Sequence, residues 1–261
     1  MSRVLSLIFP TRIRPEWVGE TCETIAKTIT MPGQVEVVLG VDNADTTAHA
    51  AGAAAIKALS PHVMVRVLHG AWDDLGKKLI DMYADSVGDV RLFVADDFRF
   101  ETLGWDRLLM DAAYRLPGGS VDEERAGAGV ITVNDGMHNN VADYLRPNGV
   151  PGPFAITRAF ADLCGYWMPS GFDFACLDTW CWDICRRADE MWMSKDKTLP
   201  PFRSVLWNCM IRHLHKSKPD ENTSRADARL WEEVRKVYVP REGERQETAI
   251  AIVKHFRAKG V

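Results

Sequence analysis

Short apolar runs alternate with amphipathic segments along the first hundred residues of the chain. Runs of strand length cover residues 4–9, 34–41 and 63–68, and a fourth begins at residue 90 and ends at Asp96. Between them, helical segments are predicted at residues 16–28, 49–59 and 73–86. Alternating strands and helices are typical of a parallel sheet covered by helices on both faces. We therefore predict an α/β, Rossmann-like, mostly parallel sheet flanked by helices.

The pattern is looser after residue 100. Strands are predicted at residues 130–133 and 154–156, with an alternating segment at 204–215. Helices are predicted at residues 104–114, 157–164 and 177–189, and two more at 224–236 and 244–259. We expect one domain, residues 1–216, in two halves (1–100 and 101–216), followed by a C-terminal helical extension at 217–261.

The composition is that of an ordinary globular protein, with 46% hydrophobic and 26% charged residues, and no apolar run approaches the length of a membrane span. The six cysteines show no CxxC spacing, so neither a zinc knuckle nor a disulfide framework is indicated, and a cytoplasmic location is expected. The net charge of −4 argues against a protein that coats nucleic acid. A local basic surface from Arg186, Arg187 and the C-terminal tail stays possible on this evidence.

Polar clusters follow three of the predicted strands. They are the loop Pro10-Thr11-Arg12, the segment from Asp42 to Asp45, and the pair Asp96-Asp97. Because the carboxyl ends of parallel strands meet at one edge of a sheet, these side chains are expected to line one crevice. Carboxylates in such a crevice suit a divalent cation with bound phosphate oxygens. On its own, the Asp-Asp pair is equally consistent with a solvated turn.

Two late histidines extend this acidic cluster. The sequence contains neither GxGxxG nor GxxxxGK[ST], so a diphosphate held at this edge would need a metal. His213 and His215 are two residues apart on an extended segment and therefore face the same side. An isolated histidine pair more often has a surface or core role, but beside Asp97 we expect metal ligation.

Asp178 is the other carboxylate of interest, at the start of the helix predicted for residues 177–189. Aspartate in that position commonly stabilises the helix N-terminus. The preceding aromatic residues, Tyr166, Trp167 and Phe172, suggest a floor that could seat a sugar ring or a base. A carboxylate above such a floor could act as a general base towards an acceptor hydroxyl.

Taken in order, these motifs resemble the GT-A glycosyltransferases, close to the family-2-like inverting group. The resemblance rests on a Pro-Thr-Arg loop, Val41-Asp42-Asn43-Ala44-Asp45, Asp96-Asp97, Leu177-Asp178-Thr179-Trp180 and a late histidine, and it spans about residues 4–216. The segment from Ala95 to Asp106 also resembles small bacteriophage-encoded enzymes of this fold. Ala95 departs from the family's DxD motif, and Leu177 stands where many relatives have a glutamate.

The resemblance implies a role for each matching position. Pro10, Thr11 and Arg12 would line the nucleotide-sugar pocket, Asp42 would meet the base and Asp96 the ribose. Lys77, or its neighbour Lys78, would approach the phosphates. Asp97 with His213 or His215 would hold Mn²⁺ or Mg²⁺, and Asp178 would be the catalytic base. Tyr166 and Trp167 are the predicted acceptor-binding residues.

The expected activity is a metal-dependent, inverting transfer of a sugar from a nucleotide-sugar, with UDP as the expected nucleotide, to an acceptor hydroxyl. The resemblance to phage enzymes suggests 5-hydroxymethylpyrimidine in DNA as acceptor, with Arg186, Arg187 and the basic tail holding backbone phosphates. A glycan or small-molecule acceptor is the alternative, and a membrane-lipid acceptor is disfavoured. A nucleotidyltransferase would usually carry a glycine-rich loop after the first strand. A non-catalytic binding module would not hydrolyse a nucleotide-sugar.

Overall fold

The computed structural model describes residues 5–11, 14–72, 74–138, 140–145, 152–172, 176–194, 196–214 and 232–260. Eight strands form one sheet in the order β3-β2-β1-β4-β7-β6-β8-β5. The strands are β1 (Leu5–Thr11), β2 (Val35–Asp42), β3 (Met64–Gly70), β4 (Val90–Phe93), β5 (Phe98–Phe100), β6 (Val130–Asn134), β7 (Phe154–Thr157) and β8 (Arg203–His213).

The first four strands are parallel, as their alternation with helices predicts. In the second half, β7 is antiparallel to both β4 and β6, while β6 and β8 are parallel. The short strand β5 was not predicted; it follows Asp97 directly and pairs antiparallel with the end of β8. This pairing links the Asp-Asp segment to the late histidines.

Helices cover both faces of the sheet. They are α1 (Pro15–Thr28), α2 (Ala48–Leu59), α3 (Leu75–Asp85), α4 (Trp105–Tyr114), α5 (Val141–Leu145), α6 (Arg158–Cys164), α7 (Leu177–Trp192) and α8 (Glu242–Ala258). Alternate residues of β1 show the two layers. Leu7 and Phe9 belong to the core that contains residues of α1, α2 and α4, whereas Ile8 belongs to the core that contains residues of α3 and α7.

Helix α8 packs on α7 and shares its core. Ala249, Ile252, Val253 and Phe256 are buried in the cluster that also contains Trp180 and Ile184 of α7. Most of the helix predicted at residues 224–236 lies outside the described residues, and the described end of that segment is helical. The domain boundary predicted at residue 216 stays a prediction. Within the described ranges, every helix is too short or too polar to cross a bilayer.

Candidate active site

Asp97 and His213 are brought together at the carboxyl edge of the sheet. Asp97 follows β4, His213 ends β8, and the β5–β8 pairing places Phe98 opposite His213. Nε2 of His213 lies 3.2 Å from Oδ2 of Asp97, and the Leu214 N–H donates to the Asp97 carbonyl at 3.1 Å. The Asp97 side chain is 14% exposed and the His213 side chain is 30% exposed, so both can be reached from the crevice.

A carboxylate oxygen and an imidazole nitrogen at this distance fit a divalent cation that accepts both atom types, such as Mn²⁺. In the described part of the chain, no group of three or more His, Cys, Asp or Glu side chains could hold a metal. A cation at the Asp97–His213 pair would therefore take its other ligands from elsewhere, and phosphate oxygens suit it. His215, the other predicted ligand, lies outside the described residues.

Asp96 is fixed by helix α1. The hydroxyl of Thr21 donates to the Asp96 carbonyl at 2.7 Å, and Nη1 of Arg14 lies 3.4 Å from its Oδ1. Burial raises the pKa of Asp96 and neighbouring Asp97 adds to the effect, while Arg14 opposes it. The carboxylate is 13% exposed and stands beside the metal-ligand pair.

Lys78, rather than Lys77, reaches the predicted nucleotide pocket. Its Nζ donates to the Thr11 carbonyl at 2.8 Å and to Asp42 Oδ2 at 3.1 Å, which joins the ends of β1 and β2. The adjacent Lys77 side chain is exposed and lines a surface cavity beside β3 with Trp72. Of the two lysines named in the sequence analysis, Lys78 and not Lys77 therefore lies at the predicted pocket. Adjacent residues of a helix point about 100° apart, and α3 directs Lys78 towards the sheet.

The hydroxyl of Thr11 also suits a ligand-binding role. Oγ1 is buried and has no hydrogen-bond partner among the described residues. Burying a hydroxyl without a partner is unfavourable, so the position fits a group that a ligand completes. Pro10 lies beside it in β1, and Arg12 falls outside the described residues.

Asp178 lies in the first turn of α7, after Cys176, which has a left-handed backbone with φ of 63°. Cys176 occupies the N-cap position, so Asp178 is not the capping residue. The Asp178 carboxylate accepts the N–H of Thr179 at 2.7 Å and its hydroxyl at 3.2 Å. Burial raises the pKa of Asp178 and these hydrogen bonds oppose the effect. A carboxylate with a raised pKa is a better proton acceptor.

The structure does not place Tyr166 and Trp167 as acceptor-binding residues. The Trp167 ring packs on Arg91, whose Cζ lies 3.2 Å from the ring centroid, near the amino end of β4. Asp96 and Asp97 follow the opposite, carboxyl end of that strand. The Tyr166 hydroxyl accepts the indole N–H of Trp180 at 2.9 Å and packs against the core beneath α7. The Trp167 ring is thus occupied by Arg91 and the Tyr166 hydroxyl by Trp180, and the acceptor-binding role of both residues stays a prediction.

Two members of the predicted basic surface, Arg186 and Arg187, are held in ion pairs within the fold. Arg186 and Arg187 bind Asp183 at 2.7 and 2.9 Å, and they also pair with Glu190 and Glu242. Their side chains are only 18% and 15% exposed. Because these guanidinium groups already have carboxylate partners within the fold, a phosphate would have to compete with Asp183, Glu190 and Glu242 for them.

A polar cluster beyond β6 was missed by sequence reasoning. Asp135 is 4% exposed and contacts both His138 and Tyr144. The segment Asn134-Asp135-Gly136 predicts a turn. A turn needs no functional carboxylate, so the contacts of Asp135 with His138 and Tyr144 were not predicted. The one signal in the sequence is a histidine three residues after an aspartate at a strand end.

Comparisons with known proteins add to this geometry. No protein-family model matches the sequence, and none of the curated proteins matches it. Several solved structures do. The mannosyltransferase PcManGT from Pyrobaculum calidifontis, in complex with GDP-Man and Mn²⁺, has a TM-score of 0.60 and 11% identity over 97% of this chain and 70% of its own.

Two further structures are similar. TarS 1-349 from S. aureus, in complex with UDP-GlcNAc, has a TM-score of 0.54 and 15% identity over 94% of this chain and 79% of its own. Glucosyl-3-phosphoglycerate synthase from Mycobacterium tuberculosis, in complex with Mg²⁺ and UDP, has a TM-score of 0.52 and 14% identity over 87% of this chain and 76% of its own.

This chain has the GT-A fold. The three structures share with it the curled mixed sheet flanked by helices, as the resemblance of its motifs predicted. At 11–15% identity the similarity concerns the fold, and the site must be argued from its own residues.

Proposed function

We propose that this chain is a divalent-metal-dependent glycosyltransferase that moves a sugar from a nucleotide-sugar to an acceptor hydroxyl with inversion. The observation that carries the proposal is the Asp97–His213 pair, with 3.2 Å between Nε2 and Oδ2. It lies at the edge of a GT-A sheet where Asp96, Thr11 and Asp42 also lie. The solved neighbours with this fold were determined with GDP-Man and Mn²⁺, with UDP-GlcNAc, or with Mg²⁺ and UDP.

The nucleotide would bind over the ends of β1 and β2. Asp42, held by Lys78, is a hydrogen-bond acceptor that would suit the ring N–H of uracil, thymine or guanine. The Thr11 hydroxyl, which is buried without a partner among the described residues, supports a contact with the nucleotide, and the partly exposed Asp96 carboxylate would accept a ribose hydroxyl. UDP and GDP, the nucleotides present in the solved neighbours, both carry such a ring N–H and are the nucleotides proposed here.

Asp97 and His213 would hold Mn²⁺ or Mg²⁺. Such a cation, when bound, neutralises the diphosphate that leaves the sugar. The chain's own contribution is to fix the two ligands in place. The β5–β8 pairing and the Leu214 N–H bond to the Asp97 carbonyl set the spacing between carboxylate and imidazole.

Asp178 is the proposed general base. Its carboxylate would accept the proton of the acceptor hydroxyl as that oxygen attacks the anomeric carbon and the bond from this carbon to the diphosphate breaks. Attack from the face opposite the leaving group inverts the anomeric configuration. Burial, which raises the pKa of Asp178, supports this role.

The ion pairs of Arg186 and Arg187 bear on the choice of acceptor. Transfer to 5-hydroxymethylpyrimidine in DNA was suggested by the phage resemblance, and it relied on Arg186 and Arg187 as phosphate contacts. Both are held in ion pairs with Asp183, Glu190 and Glu242. We therefore favour a glycan or small-molecule hydroxyl, and keep hydroxymethylated DNA as a test substrate.

The proposal is tested by incubating the protein with UDP- and GDP-sugars, Mn²⁺, and either a glycan panel or hydroxymethylated DNA. Release of UDP or GDP and the mass of the acceptor are measured. We expect Mn²⁺-dependent nucleotide release that an acceptor accelerates and EDTA stops. No release from any nucleotide-sugar in Mn²⁺ would overturn the proposal.

A further inference from the structure

The polar cluster beyond the carboxyl end of β6 has no role in the reaction proposed above. Its centre is the buried carboxylate of Asp135. Oδ1 of Asp135 accepts the Met137 N–H at 2.8 Å and the Tyr144 hydroxyl at 2.8 Å, and lies 3.2 Å from Nδ1 of His138. These three contacts fix the Asp135 carboxyl group against the Tyr144 hydroxyl and the His138 ring.

This cluster shares the sheet edge with the metal-ligand pair. The His213 N–H donates to the Asp135 carbonyl at 3.1 Å, and β6 and β8 are parallel neighbours. In the strand order, β1 and β2, which carry Thr11 and Asp42, lie on one side of β4, and β6 lies on the other. A nucleotide-sugar that reaches from Asp42 across Asp97 would point its sugar towards the side of the edge where Asp135 lies.

The His138 ring directs its Nδ1 atom to Asp135, which leaves its Nε2 atom as the possible ligand contact. Because Nδ1 faces the Asp135 carboxylate, the hydrogen-bond network assigns a proton to Nδ1, and Nε2 is the nitrogen that is left for a ligand. The ring also packs on the buried Tyr144 ring, with 4.1 Å between centroids. The side chain is 25% exposed, and Nε2 has no hydrogen-bond partner among the described residues.

We propose that His138, oriented by Asp135 and Tyr144, binds a hydroxyl group of a sugar, in either the donor's sugar or the acceptor. A hydroxyl can donate to Nε2 when this nitrogen carries a lone pair and accept from it when it carries a proton, so a sugar hydroxyl suits the site in either case. Asp135 and Tyr144 are positioning residues, and His138 is the residue that touches the sugar. The inference rests on the proposed transferase function.

Titration calorimetry in Mn²⁺ tests it by comparing a free nucleotide, UDP or GDP, with the matching UDP- or GDP-sugar. The variant is His138→Phe, which keeps an aromatic ring against Tyr144 and removes both nitrogens. Its matched control is His62→Phe, since His62 is an exposed residue ahead of β3. Loss of one hydrogen bond should weaken binding about fivefold to tenfold.

If His138 binds the donor's sugar, His138→Phe lowers the affinity for the nucleotide-sugar by that factor and leaves the affinity for the free nucleotide unchanged. If it binds the acceptor, both affinities are unchanged and the KM for the acceptor rises by the same factor. Tyr144→Phe, which removes both hydrogen bonds between the Tyr144 hydroxyl and Asp135, should produce a smaller shift of the same kind. His138→Gln keeps an oxygen that can accept a hydroxyl, and should restore part of the binding.

The inference is overturned if His138→Phe matches the wild-type protein and His62→Phe in nucleotide-sugar affinity and in acceptor KM. It is equally overturned if free-nucleotide affinity and thermal stability fall together with sugar binding, which is the pattern of a purely structural residue. Failure of the wild-type protein to bind any nucleotide in Mn²⁺ would instead refute the transferase proposal, and the free-nucleotide titration distinguishes the two cases.

Discussion

Nζ of Lys78 lies 3.1 Å from Oδ2 of Asp42, and the two side chains are only 5% and 15% exposed. This ion pair joins α3 to the end of β2, and the same Nζ also donates to the Thr11 carbonyl. The ammonium group therefore fixes the carboxylate that we assign to the nucleobase. Removing it would leave a largely buried anion without its partner.

Lys78→Met should lower the free energy of unfolding by about 3 kcal/mol, because breaking a buried pair leaves one charge uncompensated. The affinity for UDP or GDP should fall about tenfold, since Asp42 is no longer held. Calorimetry and chemical denaturation measure the two effects. Lys77→Met is the matched control: its side chain is exposed, and its stability should change by less than about 0.5 kcal/mol. Wild-type affinity in Lys78→Met would contradict the role of Lys78 in holding Asp42 for the nucleotide.

Asp178→Asn should reduce transfer by a factor of about 10²–10⁴, the usual contribution of a general base. Nucleotide affinity should not change, because the substitution preserves size and the assigned nucleotide contacts lie on β1 and β2. Steady-state transfer and calorimetry are the measurements. Full transfer activity in Asp178→Asn would refute the assignment of the base.

The pH dependence of transfer offers a separate test of Asp178. Its carboxylate must be deprotonated to accept a proton, and burial raises its pKa above the ordinary value of 3.8. The acid limb of kcat/KM should therefore lie above pH 3.8. Thr179→Val removes the hydroxyl that donates to Asp178 at 3.2 Å, a bond that lowers the pKa. The limb should move to higher pH in this variant, and a move to lower pH would contradict the account.

Asp183 joins α7, which carries Asp178, to α8. Its Oδ2 accepts Nε of Arg245, which is 3% exposed, at 2.8 Å. Asp183→Ala should lower the free energy of unfolding by about 3–5 kcal/mol, since it leaves the buried Arg245 unpaired. Glu190→Ala, which removes the exposed partner of Arg186, should cost less than about 1 kcal/mol. Equal effects of the two substitutions in denaturant titrations would contradict the proposed role of Asp183.

The contribution of Asp183 to stability should also depend on pH. Burial raises its pKa, but hydrogen bonds from Arg187, Arg186 and Arg245 outweigh this effect, so the folded-state pKa is depressed. Its stabilisation is therefore present above the unfolded value near 3.8 and is lost as pH falls through the lower folded value. The difference in stability between wild type and Asp183→Asn should shrink in that acid range.

The sequence predicted the fold and the site best where the residues concerned lie at the ends of strands. The alternation of strands and helices predicts the parallel half of the sheet, and the ends of β1, β2 and β4 place Thr11, Asp42 and Asp97 at one edge. The late His213 followed from its extended segment. Its contact with Asp97 requires β5, a three-residue strand too short to be recognised from its pattern.

Other parts of the site depend on the rotation and packing of elements, which spacing does not determine. The inward turn of Lys78, rather than Lys77, follows from how α3 packs on β1 and β2. The packing of Trp167 on Arg91 could not be predicted, because an aromatic turn is equally compatible with a ligand or a core. The ion pairs of Arg186 and Arg187 with Asp183 were within reach of sequence reasoning, since three- and four-residue spacing brings side chains together on a helix.

The central claim, that Asp97 and His213 hold the cation that binds the nucleotide diphosphate, is tested most directly by titrating UDP and GDP into the protein with Mn²⁺ or with EDTA. Asp97→Asn is compared with Asp162→Asn, an exposed aspartate on α6. We predict that wild type and Asp162→Asn bind nucleotide at least about tenfold more tightly in Mn²⁺, and that Asp97→Asn loses this gain. Mn²⁺-dependent binding of wild-type strength in Asp97→Asn would contradict the account.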